Sequence, residues 1–158
     1  MNQLATVSSR QNVVEDKKPK QVFVTFYVDK QLFGISVEKV QDILVSENIA
    51  HIPLSSEKVA GNINLRGRIV TVIDFRRCLG LPDHDNGEQH LATVEIGEEL
   101  YSIKVDNVGT VMEIKTSDIE NNPSTMDKKW QSVSSGVVKL SKEIMIILDA
   151  NALINSKN

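Results

Sequence analysis

The feature that most constrains this chain is that it resembles itself. Moved along by 68 residues, Thr25 meets Thr93, Val28 meets Ile96, Leu32 meets Leu100, Phe33 meets Tyr101 and Ile35 meets Ile103. The same shift sets Val37 on Val105, Val40 on Val108 and Ile43 on Val111. A second block comes at a shift of 75: Gly61 meets Gly136, Ile63 Val138, Leu65 Leu140, Ile69 Ile144, Val72 Ile147 and Asp74 Asp149. Val and Ile recur in any β protein, but here glycine and aspartate keep step as well. The period is too long for a solenoid unit. The expectation is mainly β: one domain over residues 21–155 made of two similar small subdomains. About five strands each are too few for a broad sandwich but enough for a small closed barrel, which leaves no exposed strand edge.

The local pattern fills in this plan. Residues 1–20 are polar and read as a disordered tail, and 156–158 as a short C-terminal one. Val22–Val28, the turn Asp29-Lys30 and Gln31–Ile35 form a hairpin. Ser36 can cap the next segment, where the spacing of Val37, Val40, Ile43 and Leu44 predicts a short helix. His51-Ile52-Pro53 reads as extended, since the residue before proline avoids the α region. Ser55–Ala60 reads as a helical turn closed by Gly61. Asn62–Leu65, Arg66-Gly67 and Arg68–Asp74 form strand, turn, strand, and Phe75–Leu79 a helical turn ended by Gly80 and Pro82. Residues 83–89 are a polar connector. Strands come next at Leu91–Ile96, Leu100–Val105, Ser135–Leu140 and Glu143–Leu148, with a loop at Asn121–Ser124. Asp149 caps a last short helix through Ile154.

Composition narrows the function. Aromatic residues make up 4 % of the chain, so the core is expected to be aliphatic, built from Val, Ile and Leu. Net charge is −3, which opposes nucleic acid, because phosphate contacts need a basic surface. A nucleic-acid-binding small β barrel is the alternative reading, and few aromatics for base stacking also count against it. One cysteine, Cys78, permits no intramolecular disulfide and fits a reducing compartment. No apolar leader is visible in the first twenty residues, and no run approaches the ~20 apolar residues of a spanning helix. A soluble cytoplasmic protein without direct membrane insertion is expected.

A search for site chemistry returns little. His51, His84 and His90 follow no metal-ligand spacing. Asp83, Asp85 and Gly87 put the glycine at the fifth position of a would-be calcium loop, where the sixth is required. A solvated connector is the better reading there. Cys78 follows Arg76-Arg77, which would favour a thiolate, but a small side chain packed in a helical turn explains it better. Gly61–Gly67 lacks the Gly-Lys-Ser/Thr ending of a phosphate loop. Trp130 packs on a barrel or anchors a partner, and packing is expected. The expectation is therefore no enzyme, no metal and no cofactor, and a binding module instead.

Residues 61–81 read GNINLRGRIVTVIDFRRCLGL. Gly61, the Asn64-Leu65-Arg66-Gly67 block, the apolar strand, Asp74 and Arg76 resemble the signature of the bacterial chemotaxis coupling-protein (CheW) family. Gly34-Ile35 with Val37–Ile43 resembles its apolar and acidic segment, Val105-Asp106-Asn107-Val108 its Val-Asp-x-Val segment, and Met145–Leu153 its closing strand and helix. The resemblance covers about residues 21–155. It implies two SH3-like β barrels, in agreement with the duplication. It departs at Thr71, where the family usually has proline, and at Ser102, where glycine is usual. Thr71 suits a strand, whereas Ser102 adds a side chain expected near the receptor face. The same module occurs in CheA kinases and CheV proteins. With no kinase or receiver segment alongside, a stand-alone adaptor is implied.

The implied partners are the regulatory domain of the histidine kinase CheA and the cytoplasmic tips of chemoreceptors, at membrane-associated arrays. The interface residues expected are Val37, Val40, Asp42, Gly61, Arg66, Val108 and Val111. The four valines would line an apolar groove between the barrels that takes a helical tip. Arg66, in its tight turn, and Asp42 would pair, at or beside the interface. The plain alternatives are that Arg66 braces its turn and that the valines are core.

Overall fold

In the computed structural model the described residues are 18–46, 49–51, 56–83 and 88–155. The first half contributes β1 (Lys20–Val28), β2 (Gln31–Ser36), β3 (Val40–Ser46), β4 (Val59–Leu65), β5 (Arg68–Asp74) and the one-turn helix α1 (Phe75–Cys78). The second half contributes β6 (Gln89–Ile96), β7 (Glu99–Val105), β8 (Asn107–Lys115), β9 (Ile119–Glu120), α2 (Lys128–Gln131), β10 (Ser134–Lys139), β11 (Ile144–Leu148) and α3 (Ala150–Ile154). Most of the N-terminal tail, the stretch around Pro53 and the middle of the acidic connector lie outside the described residues.

The molecule is mainly β, two small SH3-like barrels, but repeat and barrel are not the same unit. One sheet runs β8-β1-β2-β11-β10-β9 and the other β3-β6-β7-β5-β4. Each half gives its first hairpin to the barrel of the other half. The exchange repeats in register. The antiparallel pairs Phe23–Met112, Val24–Val111 and Phe26–Val108 join β1 to β8. Shifted by the duplication, they become Leu91–Leu44, Ala92–Ile43 and Val94–Val40 between β6 and β3. Parallel pairing matches too: Phe33 lies opposite Ile146, as Tyr101 lies opposite Thr71.

The shared glycines and aspartates have structural causes. A Cβ on Gly61 would stand 2.1 Å from the carbonyl oxygen of Ala50, and one on Gly136 3.0 Å from that of Glu120. At both places the chain beyond an outer strand returns to close the barrel. Ala50 bridges to Asn62 of β4, and β9 pairs with β10. Asp74 accepts from the amides of Arg76 and Arg77 and caps α1, while Asp149 accepts from that of Ala152 and caps α3.

The structure departs from the sequence reading in three places. Only Val37–Lys39 is helical, a 3-10 turn capped by Ser36, and Val40–Ser46 is strand β3. Apolar residues three and four apart fit a helix, but a Val/Ile-rich segment with β6 available for pairing is more stable extended. The helical turn expected over Ser55–Ala60 is likewise replaced, over its described part, by a turn at Glu57-Lys58 and the start of β4. Nor is the core only aliphatic: Phe26, Phe33 and Phe75 form a buried aromatic group, and Trp130 meets Phe33 edge-on at 5.4 Å. Trp130 therefore packs, as expected.

The core is arranged around the seam. Its largest cluster draws on both barrels, from Val24, Phe26 and Phe33 to Ile73, Val94, Ile103 and Ile146. Each barrel adds a smaller cluster of its own, Phe23, Leu32 and Met145 in one and Ile63, Val70 and Leu91 in the other. Exchanged hairpins put the greatest apolar burial between the barrels, which joins them into one body.

Candidate protein interface

The outer strands β3 and β8 occupy equivalent places in the two barrels. Both flank β6: β3 by its hydrogen-bond ladder, β8 by contact across the seam. The segments carrying Val37 and Val40 and those carrying Val108 and Val111 thus both lie beside β6. The four do not play one part, however. Val40 and Val108 are half-buried against the main core, whereas Val37 and Val111 stay 40 % and 62 % exposed. The first pair packs inward and the second faces solvent. Val45 on β3 is exposed as well. Sequence reasoning misses it because a helical reading of residues 37–44 assigns outward faces wrongly.

Arg66 and Asp42 meet at 2.8 Å. Arg66 lies at the tip of the β4–β5 hairpin with φ +53°, followed by Gly67 at φ +86°, the backbone of a tight hairpin turn. It is Asn64 that braces this turn, its side-chain carbonyl accepting from the amide of Gly67 at 2.9 Å. Arg66 instead reaches across to β3. Asp42, on a strand rather than a helical turn, is mostly covered, whereas Arg66 is 75 % exposed. The pair fastens the two end strands of its sheet and leaves much of the guanidinium facing outward. Gly61 is buried, so its part is to let Ala50 approach.

Ser102 also differs from expectation. It is fully buried on β7 and shares a 2.6 Å hydrogen bond with Thr93 inside the barrel. Its equivalent, Gly34, has no room for a side chain, since a Cβ would stand 2.7 Å from Met145 Sδ. The position equivalent to Met145 is the shorter Val70. Ser102 is thus an internal packing difference and lies away from the surface.

A second constellation joins residues that sequence reasoning notes but does not connect. Arg76 Nε and Nη2 donate to the two carboxylate oxygens of Asp106 at 2.8 and 2.7 Å, and Nη1 donates to the carbonyl of Pro82. Asp29 lies 3.8 Å from the same guanidinium and donates its amide to Asp106. The hydrogen bonds with Asp106 raise the Arg76 pKa further above its ordinary value, with burial opposing them. These residues border a cleft of about 540 Å³ with Tyr27, Lys30 and Asn107. Thirty positions separate Arg76 from Asp106, and no local pattern announces such a pair. Among the described residues no group of three or more His, Cys, Asp or Glu side chains could hold a metal ion.

A family model described as the CheW-like domain matches residues 22–158. The chain belongs to the CheW-like domain family. Chemotaxis protein CheW of Bacillus subtilis (strain 168) is 27 % identical over 142 residues, covering 89 % of this chain and 91 % of that protein. The CheW of Klebsiella aerogenes is 27 % identical over 155 residues, covering 98 % of this chain and 91 % of that one. Among solved structures, the scaffolding protein TtCheW from Thermoanaerobacter tengcongensis superposes with a TM-score of 0.77 at 28 % identity. The match spans 88 % of this chain and 97 % of TtCheW. The CheW-like fold therefore accounts for nearly the whole chain.

Proposed function

We propose that this protein is a non-enzymatic adaptor that couples chemoreceptors to the histidine kinase CheA, at the cytoplasmic side of receptor arrays. The observation that carries this reading is that β3 and β8 both lie beside β6, and we read their exposed valines as one apolar strip. Val37 and Val111 stand exposed there above Val40 and Val108, which are anchored in the core. An apolar strip on a rigid support suits the helical tip of a receptor, whose apolar side chains would cover it. Arg66, at the β4–β5 tip and paired with Asp42 of β3, offers a mostly exposed guanidinium for a polar contact at the rim. The names of the CheW relatives and the scaffold description of TtCheW support the chemotaxis setting. Among the described residues no helix is long and apolar enough to cross a membrane, so attachment to an array would come through partners.

The test is a binding measurement with purified receptor cytoplasmic hairpin and CheA regulatory domain. Val111→Glu should keep its melting temperature, because the residue is already exposed. It should weaken the receptor complex by ~30- to 1,000-fold, the effect of stranding a charge in a desolvated contact at roughly 2–4 kcal/mol. Normal receptor affinity in that variant would remove the strip from the interface.

A further inference from the structure

The duplication provides two joints where the chain crosses between barrels, and among the described residues only one carries a largely covered arginine–carboxylate clamp. At the crossing from β7 to β8, Asp106 accepts the fork of Arg76 from α1 and the amide of Asp29 from the β1–β2 turn. Its own amide donates to the carbonyl of Tyr27. Arg76 and Asp106 are 12 % and 11 % exposed. At the crossing from β2 to β3 the equivalent positions are Glu38 for Asp106, Asn151 for Arg76 and Gly97 for Asp29. The amide of Glu38 turns to Ser36 Oγ, and among the described residues no ion pair reaches Glu38.

We infer that the Arg76–Asp106–Asp29 clamp is the positioning device of the receptor strip, and that the β2–β3 crossing is the side on which the strip adjusts. Asp106 immediately precedes β8, so holding it fixes the start of the strand that carries Val108 and Val111. The same clamp ties β8 to α1 of one barrel and to the β1–β2 turn of the other, so it sets where β8 stands against β6. A bidentate guanidinium–carboxylate pair holds direction as well as distance. At the β2–β3 crossing Val37 leaves β2 through the 3-10 turn with no ion pair at Glu38 among the described residues, and the pair that does reach β3, Arg66–Asp42, lies further along the strand and leaves its arginine 75 % exposed. Arg76, Asp106 and Asp29 are positioning residues and would not themselves touch the partner. This inference rests on the adaptor reading, and its test separates the two.

The variant is Arg76→Met with Asp106→Leu, which removes both charges and strands neither. A second variant, Arg76→Lys, keeps the charge and loses the fork. Spin labels on cysteines at the exposed positions Gln41 of β3 and Glu113 of β8 report the strip directly, and buried Cys78 stays in place. The parent should give one narrow distance distribution and both variants a broader one. Receptor-hairpin affinity should fall about tenfold in the double variant and several-fold in Arg76→Lys, with CheA binding measured alongside. In a folded variant, an unchanged distribution or an unchanged receptor affinity overturns the assignment. If the double variant does not fold, Arg76→Lys decides by the same two readouts. A parent that binds no receptor hairpin defeats the adaptor reading instead, and the distance distributions still decide the clamp.

Discussion

At the scale of single residues, the positions that look alike in the two halves differ in how much they must bear. Gly61 and Gly136 do the same job, but the carbonyl of Ala50 crowds Gly61 far more closely than that of Glu120 crowds Gly136. Gly61→Ala should therefore cost several kcal/mol in urea unfolding, about the scale of a severe local clash, and Gly136→Ala distinctly less. Equal losses would mean that the two closures are equally tight. The valines divide in the same way. Val40→Glu and Val108→Glu place a charge against the core and should lower the melting temperature sharply, whereas Val37→Glu and Val111→Glu should leave it nearly unchanged. The apolar character of these four positions is legible in the sequence. Their depth is not, because depth depends on which hairpin covers which strand. Ser102 shows the same limit, since its place inside the barrel beside Thr93 depends on how β6 and β7 pack.

At the scale of elements, hairpins are the easiest to read. Asp29-Lys30 and Arg66-Gly67 both adopt the positive φ that tight two-residue turns require. Residues 37–46 mislead because helical spacing and a Val/Ile-rich strand overlap in a short window, and the pairing strand β6 lies far along the chain. The Arg66–Asp42 contact belongs to this scale, since it links the end strand β3 to the β4–β5 tip. Arg66→Ala and Asp42→Ala should each cost at most ~1 kcal/mol of stability, because the arginine is well exposed. A double-mutant cycle should show coupling, with the double variant losing less than the sum. The coupling should shrink as salt is raised, and strictly additive losses would show that the contact contributes nothing.

At the scale of the whole molecule, the duplication announces two barrels and hides how they are built. Self-similarity cannot say whether a repeat closes on itself or exchanges a hairpin, because both arrangements satisfy the same apolar pattern. The exchange predicts that neither half is independent. With a protease site inserted between Asp83 and Glu88 and cut in the folded protein, the two pieces should co-elute and melt in one transition. Separation on dilution, or two transitions, would show that one barrel stands alone. The exchange also dictates an order of events during synthesis. The β1–β2 hairpin leaves the ribosome first, yet β11, which pairs with β2, lies 113 residues further on. At ~5–20 residues per second that is a wait of roughly 5–25 s. Throughout it Phe23, Phe26 and Phe33 have no finished barrel to enter. A nascent chain of this design needs shelter for its first hairpin until its last strand is made.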